Sequence, residues 1–265
     1  MQRLPFCKIF VVMKTNNINS LSEYIKDTDI DIFFHFSWEG SSGTLRGDFN
    51  TQVNNIKNTC NAIYAAKSLN CKRFVFAESI MEYEIQKAIH NEETVSINTL
   101  YSTSKLCSEF MAKTIAQDIG IEYVGALISN IFGEGEKSAR LINTTIRKLI
   151  KREHCSFSSG EQLYDFIYIS DAVEIFKLIA SSGRKNISYY VGNREPKKLK
   201  EFLLCLGKIV DKNAKLGFGE LPNPTIVINY TEFDTNRVYT EFKYEPKISF
   251  EEGIRRTYMS IMEDK

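Results

Sequence analysis

Lys72-Arg73-Phe74-Val75-Phe76-Ala77 is the stretch that decides the fold class. Its nearly continuous apolar character predicts a strand buried on both faces, as strands of parallel sheets are. Residues 31–36 have the same character, and residues 50–69, which separate the two runs, have helical periodicity. Residues 100–119 predict another helix and residues 122–129 another strand. This alternation of strands and helices predicts an α/β fold with a parallel sheet.

Further elements are predicted on either side of this region. A strand is expected over residues 7–12 and a short helix over 19–26. Beyond residue 135 the pattern predicts one strand over 164–169 and helices over 140–152, 172–180 (capped by Ser170-Asp171), 196–210 and 250–261. The chain therefore looks like a sheet domain followed by a smaller C-terminal lobe.

Composition excludes several functional classes. The chain has 265 residues, 43% of them hydrophobic and 25% charged, and a net charge of +1. These values predict a globular protein with a full core and no electrostatic preference for nucleic acid. No apolar run reaches the ~20 residues of a membrane span, so no membrane association is expected. Six cysteines without a Cys-x-x-Cys pair indicate reduced thiols in the cytoplasm, and three separated histidines predict no metal site.

Three residues indicate the chemistry. Tyr101 and Lys105 are four apart and so share one face of the predicted helix. An ammonium group near a phenol stabilises the phenolate and lowers its pKa from ~10 toward neutrality. Ser79, at the end of the central strand, can bond the same substrate oxygen. Together the three predict proton transfer to and from an alcohol/ketone pair.

Six patterns, in order, resemble the extended branch of the short-chain dehydrogenase/reductase superfamily. That branch contains NAD-dependent epimerases, dehydratases and reductases of nucleotide-activated sugars. The patterns are Phe34-His35-Phe36-Ser37, residues 55–59 (Asn-Ile-Lys-Asn-Thr), residues 73–83 around Ser79, Tyr101 to Lys105, residues 130–135 (Asn-Ile-Phe-Gly-Glu-Gly) and residues 164–171 (Tyr-Asp-Phe-Ile-Tyr-Ile-Ser-Asp).

This resemblance implies a Rossmann-like, doubly wound parallel sheet with a smaller substrate lobe. Residues 1–135 and about 164–183 would form the dinucleotide-binding domain, and residues 136–163 and 184–265 the substrate lobe. NAD or NADP would be the cofactor. Its expected contacts are Ser37, Asn55, Tyr101, Lys105 and Ile128.

The same resemblance implies a nucleotide-sugar substrate, as in polysaccharide biosynthesis. The residues expected to contact it are Ser79, Tyr83, Asn130 and Arg140. Structural alternatives remain open for several of these residues. Asn55 is also a candidate helix cap, Tyr83 a packing residue, Asn130 a turn residue and Arg140 a solvated helix charge.

The residues around Ser79 narrow the reaction. The family's sugar dehydratases carry Thr-Asp-Glu where this chain has Ser79-Ile80-Met81, so dehydration is disfavoured. Two activities remain open, that of a 4-epimerase and that of a 4-keto reductase. The stretch Trp38-Glu39-Gly40 looks closer to the family's 4-keto reductases than to its epimerases. Family members commonly dimerise by pairing two long helices, which here would be those near 50–69 and 100–119.

One family feature is missing from this sequence. The first glycine is Gly40, so no glycine-rich turn for the cofactor pyrophosphate precedes it. The chain is expected to begin at the family's third strand, without the first βαβ unit. Tight NAD binding is therefore not expected from these residues, and a cofactor-free binding protein or an inactive fragment are alternatives. The N-terminal strand should either slide in beside the strand at 31–36 or pack poorly.

Overall fold

The structure is a computed structural model that describes residues 9–10, 25, 30–91, 96–224 and 227–263. The chain divides into two compact units. The first contains the residues up to Ile128 together with Phe176–Tyr189, and the second contains Ser129–Ile175 and the residues from Tyr190 onward. Which of these units binds which ligand stays a prediction.

The elements follow one another in this order along the chain. The strands are β1 (Ile9–Phe10), β2 (Ile32–His35), β3 (Arg73–Ser79), β4 (Glu122–Ile128), β5 (Asn130–Phe132), β6 (Cys155–Phe157), β7 (Leu163–Tyr164), β8 (Phe166–Tyr168), β9 (Ile187–Val191), β10 (Lys197–Lys198) and β11 (Leu216–Phe218). The helices are α1 (Phe49–Ser68), α2 (Tyr83–Asn91), α3 (Thr99–Ile119), α4 (Leu141–Ile150), α5 (Ile169–Ser182), α6 (Leu199–Val210), α7 (Arg237–Phe242) and α8 (Phe250–Glu263), with short 3-10 helices at Thr44–Gly47, Ile80–Glu82 and Tyr230–Glu232.

The main sheet has the strand order β1-β2-β3-β4-β9, and its first four strands are parallel. The predicted α/β fold with a parallel sheet is therefore confirmed. Ile9 pairs with Ile32 and Phe10 with Phe33, which confirms for these two residues that the N-terminal strand lies beside the next one. The rest of the predicted strand over 7–12 lies outside the described residues, as does the helix predicted over 19–26 apart from its residue 25.

Two long helices, α1 and α3, pack on this sheet. Ile63 and Ala66 of α1, Ala112 and Ala116 of α3 and Phe74 of β3 belong to one buried apolar cluster. Asp48 caps α1 by accepting a hydrogen bond from the Thr51 backbone N–H at 2.7 Å. Gly120 ends α3 in the left-handed region, with a φ of 69°. Both helices match their predicted ranges because their apolar positions recur at helical spacing.

The second unit contains three two-stranded pairs, β5 with β8, β6 with β11 and β7 with β10. Aromatic rings fill its core: the Phe132 and Phe166 ring centroids lie 6.1 Å apart, and that of Phe202 lies 4.7 Å from Phe250. Among the described residues no helix is both long and apolar enough to cross a membrane.

Two predictions at the start of α5 were wrong. The strand expected over 164–169 is split into β7 and β8 at Asp165, whose buried carboxylate accepts hydrogen bonds from the Tyr190 hydroxyl (2.6 Å) and the Asn193 backbone N–H (2.8 Å). Asp171 does not cap a helix over 172–180, because α5 already begins at Ile169. Its carboxylate instead accepts hydrogen bonds from the Tyr244 hydroxyl and two backbone N–H groups, those of residues 247 and 248.

Candidate functional site

Ser79 is the last residue of β3, and local hydrogen bonds fix it there. Its hydroxyl oxygen accepts a hydrogen bond from the Met81 backbone N–H at 3.2 Å. Its own backbone N–H donates to Glu82 Oε1 at 2.9 Å, which completes a capping box on the short 3-10 helix. Because the Ser79 oxygen already accepts a bond, its hydroxyl proton is left as a donor for a ligand oxygen.

Tyr101 and Lys105 lie one turn apart on α3, and both side chains are buried. The Lys105 ammonium donates a hydrogen bond to the Ala77 carbonyl oxygen at 2.7 Å. Ala77 belongs to β3, two residues before Ser79. The structure therefore brings the predicted lysine to the strand that carries the predicted serine.

Trp38 and Arg46 surround this pair, and neither was predicted as a site residue. The Lys105 Nζ lies 3.8 Å from the centroid of the Trp38 ring, and Trp38 meets the Tyr101 ring edge-on at 6.0 Å between centroids. The Arg46 guanidinium lies 4.1 Å from the Tyr101 ring centroid and donates a hydrogen bond to the Ser41 carbonyl oxygen. Two cations and two aromatic rings therefore form one cluster.

A signal for Trp38 was present in the sequence. It is the single tryptophan of the chain, and it follows Phe34-His35-Phe36-Ser37 directly. Its indole N–H is buried and has no hydrogen-bond acceptor among the described residues. Arg46 offered no such signal, because its contact with Tyr101 joins a 3-10 helix to a helix far along the chain.

The other residues predicted to contact the cofactor have separate positions. Ser37 is exposed just after β2, and Ile128 ends β4 opposite Ser79. Asn55 of α1 accepts from the Glu39 backbone N–H at 3.1 Å and donates to the Glu39 carbonyl at 2.8 Å. Asn55 thus fixes the segment after Trp38 and does not cap α1. Contact of these residues with a cofactor stays a prediction.

Tyr83, predicted to contact substrate or to pack, begins α2 and is half-buried. The next residue, Glu84, accepts a hydrogen bond from the Ser102 hydroxyl at 2.5 Å, which ties α2 to α3 beside Tyr101. Burial raises the pKa of Glu84 above its usual value, although the Ser102 hydrogen bond opposes this. Helix α2 itself was not predicted.

Buried carboxylates lie behind Ser79. Glu78 Oε1 accepts hydrogen bonds from the Tyr123 hydroxyl (2.5 Å) and the Ser188 hydroxyl (2.9 Å), while Oε2 has no partner among the described residues. Oxygen atoms of Glu78, Glu82 and Glu109 lie within 4.8 Å of one another. Burial, and after it the charge of Glu109, raises the pKa of Glu78 to about 7.

The backbone of β4 makes room for Glu78. A Cβ atom added to Gly125 would lie 2.0 Å from Glu78 Oε1, well inside contact distance. Gly125 is paired with Phe76 in the sheet, so the carboxylate fills the space that a side chain on β4 would occupy. This cluster has no local signal in the sequence, because its three carboxylates come from three separate elements.

In the second unit, Asn130 and Arg140 line one cavity of about 160 Å³ together with Tyr164 and Thr257. The Asn130 side-chain amide donates to the Asp165 carbonyl oxygen at 3.2 Å. Arg140 is the residue before α4 and is exposed, 3.8 Å from Glu136 in an ion pair. The structure thus brings these two predicted residues together, and their contact with a substrate stays a prediction.

Comparison with known proteins identifies the family. The model of the NAD dependent epimerase/dehydratase family matches residues 2–192. This chain belongs to that family. The resemblance inferred from the six sequence patterns is therefore confirmed.

Two curated relatives show how far the similarity extends. The chain is 26% identical over 265 residues to the uncharacterized protein MJ1055 of Methanocaldococcus jannaschii, covering 97% of this chain and 79% of that protein. It is 24% identical over 170 residues to the dTDP-glucose 4,6-dehydratase of Xanthomonas campestris pv. campestris, covering 60% of this chain and 48% of that protein. The match therefore spans about half the length of the dehydratase.

Solved structures show that the fold is shared. RMD from Pseudomonas aeruginosa, complexed with NADPH, superposes with a TM-score of 0.74 at 17% identity, covering 94% of this chain and 86% of that one. The UDP-N-acetylglucosamine 4-epimerase from Methanobrevibacter ruminantium M1, in complex with UDP-N-acetylmuramic acid, also gives 0.74, at 18% identity, with 94% and 80% covered. The predicted Rossmann-like fold is thereby confirmed.

The donors of this site fit the nicotinamide riboside part of a dinucleotide. Ribose and carboxamide oxygens need hydrogen-bond donors, and Tyr101, Lys105 and the indole N–H of Trp38 are groups that can donate to them. No glycine precedes Gly40, so the glycine-rich turn for the pyrophosphate is not among the residues of this sequence. The fit is therefore to the reactive half of the cofactor.

Proposed function

We propose that this chain is an NAD(P)-dependent nucleotide-sugar 4-epimerase or 4-keto reductase with Ser79, Tyr101 and Lys105 as its catalytic residues. The observation that carries the proposal is the burial of Tyr101 and Lys105 on one face of α3, with the Lys105 ammonium bonded to β3 at Ala77. Buried phenol and ammonium groups beside one strand end suit proton exchange with a sugar oxygen.

Each catalytic residue has a distinct role. Tyr101 exchanges a proton with the sugar oxygen, and Lys105 stabilises the phenolate and would bond the nicotinamide ribose. Ser79, whose oxygen accepts from Met81, donates its hydroxyl proton to the sugar oxygen and orients it. When bound, the nicotinamide accepts or supplies the hydride. The protein contributes alignment and a positive environment for the negative charge that develops on oxygen.

The two compact units have different proposed ligands. The first would bind NAD or NADP, with Ser37, Asn55 and Ile128 beside the catalytic residues. The second would bind the nucleotide sugar in the cavity lined by Asn130 and Arg140. An exposed guanidinium at a helix N-terminus suits the nucleotide phosphates, and half-buried Tyr83 would contact the sugar.

The residues beside Ser79 favour redox exchange over elimination. Ile80 is buried and Met81 is apolar, so neither provides the acid and base that water loss requires. Glu82, the nearest carboxylate in sequence, is bonded to the Ser79 backbone N–H. This argues against the elimination that a 4,6-dehydratase carries out and favours the hydride chemistry that 4-epimerases and 4-keto reductases share.

A second candidate is a binding protein that holds the nucleotide sugar without turnover. The observation that favours it is the absence of any glycine before Gly40. Calorimetry distinguishes the two candidates. The enzyme predicts NAD(H) or NADP(H) binding at sub-millimolar concentration, and the binding protein predicts nucleotide-sugar binding alone.

We further propose a homodimer formed through α1 and α3. Large apolar side chains are exposed on both helices: Phe49, Val53 and Tyr64 on α1, and Phe110 and Met111 on α3. Such exposed apolar groups are typical of a surface covered by a second copy. Phe110→Glu should convert a dimer to a monomer in light scattering, and a wild-type chain that is monomeric at high concentration would contradict the proposal.

The catalytic test adds deuterium-labelled NADPH or NADH to UDP- and dTDP-linked hexoses and to their 4-keto forms. Mass spectrometry then detects deuterium in the sugar. A reductase consumes reduced cofactor with the 4-keto sugar, while an epimerase interconverts sugars without net consumption. Tyr101→Phe should abolish either activity and leave the fold intact, and Tyr258→Phe is the control. Retained turnover in Tyr101→Phe would refute the assignment.

A further inference from the structure

We propose that Trp38 is a ligand-binding residue of this site, whose indole N–H donates to an oxygen atom of the bound cofactor or sugar. The inference rests on the proposed function for the identity of the ligand. The chemical group recognised is an uncharged acceptor oxygen, either a hydroxyl or carboxamide oxygen of a nicotinamide riboside or a hydroxyl or carbonyl oxygen of the sugar.

The first observation is the unpartnered indole N–H. Nearly all buried polar groups in proteins have a hydrogen-bond partner, and an exception calls for an explanation. Other buried polar atoms without a partner among the described residues belong to hydroxyl or carboxyl groups, as in Glu78 and Ser108. A hydroxyl can rotate and a carboxyl can take up a proton, but an indole N–H can only donate. Trp38 therefore requires an acceptor from outside the described residues.

The second observation is the place of the ring. Its face lies against the Lys105 ammonium at 3.8 Å, and it meets the Tyr101 ring edge-on. These are the two residues that touch the reacting oxygen and the ribose in the proposed mechanism. A ligand that reaches Tyr101 and Lys105 must therefore come close to the indole.

The third observation is that the segment after Trp38 is fixed before any ligand arrives. Asn55 bonds both the N–H and the C=O of Glu39, and the Gln52 amide donates to the carbonyls of Gly40 (3.2 Å) and Leu45 (3.0 Å). Gly40 has a φ of 69°, and a Cβ there would lie 2.5 Å from the Leu45 carbonyl oxygen. The turn is built around a conformation that holds Trp38 in place, so the donor is preorganised.

Lys105 cannot relieve the need for an acceptor. Both Lys105 and the indole N–H are donors, and the nearby His35 side chain is already bonded to Thr59 at 3.1 Å. The Lys105 ammonium uses one of its protons on Ala77. The Lys105 ammonium is itself a donor and lies against the indole face, so it supplies no acceptor for the indole N–H.

Two substitutions separate the hydrogen bond from the ring. Trp38→Phe keeps an aromatic face toward Lys105 and removes the ring that carries the N–H, while Trp38→Leu removes the aromatic face as well. We expect Trp38→Phe to weaken binding of the recognised ligand about tenfold, the effect of one buried hydrogen bond. Trp38→Leu should weaken it further. Phe36→Leu, at an exposed aromatic residue two positions earlier, is the matched control and should leave affinity unchanged.

The experiment combines calorimetry with NMR on the full chain. Because Trp38 is the single tryptophan, the indole region of a ¹H–¹⁵N spectrum contains one side-chain peak from this site. NADH, NADPH and UDP-glucose are added separately, and the one that moves the indole proton downfield identifies which ligand supplies the oxygen. That shift, with the loss of affinity in Trp38→Phe, supports the inference.

Two results would overturn it, and they differ from each other. If a ligand binds the wild type but Trp38→Phe binds it equally well, this inference fails while the proposed function stands. If none of the three ligands binds the folded wild-type chain, the proposed function fails and the inference falls with it.

Discussion

Replacing Glu78 with glutamine should remove a large part of the pH dependence of stability. The pKa of Glu78 is raised from 4.5 to about 7, mainly by burial, so between these values the folded protein holds a proton that the unfolded chain releases. Its contribution to stability is full below pH 4.5 and is lost as the pH rises through 7. At about 1.4 kcal/mol per pH unit, the loss is about 3 kcal/mol.

Glutamine is a fitting replacement because its carbonyl oxygen can still accept from Tyr123 and Ser188, and it carries no titratable proton. Urea unfolding followed by Trp38 fluorescence, at pH 5 and pH 8, measures the free energy of unfolding of both proteins. Wild type should lose about 2–3 kcal/mol more than Glu78→Gln between these pH values. Asp118→Asn, at an exposed carboxylate of the same unit, should behave as wild type.

Equal pH dependence in wild type and Glu78→Gln would refute this reasoning, because it would mean that Glu78 is ionised in the folded protein at pH 5. The comparison between the two proteins cancels the contribution of titrating groups that do not interact with Glu78. His35 is one of these, and its contribution to stability has the opposite sign in the same pH range. Glu82 is not, because the charge of Glu78 helps to raise its pKa.

Three further predictions follow from contacts in the first unit. Gly125→Ala should cost at least about 2 kcal/mol in urea unfolding, because its Cβ would meet Glu78 Oε1 at 2.0 Å, and the double variant with Glu78→Ala should recover most of that loss. Burial lowers the pKa of His35 from 6.5 to about 3. As the pH falls from 7 to 5, the free energy of unfolding of wild type should therefore fall by about 2 kcal/mol more than that of His35→Gln. An equal fall in the two proteins would show that His35 is already charged. Arg46→Met should lower turnover about tenfold with little change in substrate KM, because it removes a cation 4.1 Å from the Tyr101 ring centroid. Unchanged turnover would show that Arg46 only packs against the ring.

The sheet and its two covering helices could be predicted from sequence because their signals are local. A continuous apolar run such as 72–77 has few structural alternatives, and the helical spacing over 50–69 and 100–119 repeats over five turns or more. The four-residue spacing of Tyr101 and Lys105 is also a local signal, and it predicted that both lie on one face of the helix. The structure adds that Lys105 bonds Ala77, a contact across 28 positions that no helical period contains.

The two wrong predictions, the strand over 164–169 and the cap at Ser170-Asp171, share one physical cause. Each overlooked a carboxylate that accepts hydrogen bonds from donors far along the chain. Ser170-Asp171 has the composition of a helix cap, yet the Asp171 carboxylate is used by backbone N–H groups more than 70 positions away. Asp165 interrupts a strand for the same reason, since its Oδ2 atom accepts hydrogen bonds from the Tyr190 hydroxyl and from the backbone N–H groups of residues 193 and 194. Local capping rules therefore predict the hydrogen-bond partner of a carboxylate only when no buried donor from a distant part of the chain competes for it.

Three carboxylates lie around the end of β3, and each accepts a hydrogen bond from another group of the protein. Glu82 is held by the Ser79 backbone N–H, Glu84 by the Ser102 hydroxyl and Glu78 by Tyr123 and Ser188. Each of these acids is engaged by a donor of the protein, and the raised pKa values of Glu78, Glu82 and Glu84 lower their tendency to carry charge. The protein's own donors therefore hold these three side chains in place.

The other polar groups around the end of β3 are donors and cations. The Ser79 hydroxyl, the Lys105 ammonium and the Trp38 indole N–H all donate, and Arg46 adds a second positive charge at Tyr101. Such a set stabilises negative charge on oxygen, which is what develops when a carbonyl accepts hydride or an alcohol loses its proton. The electrostatics of the site therefore suit the proposed interconversion of alcohol and ketone, in which the charge that develops on the substrate oxygen is negative.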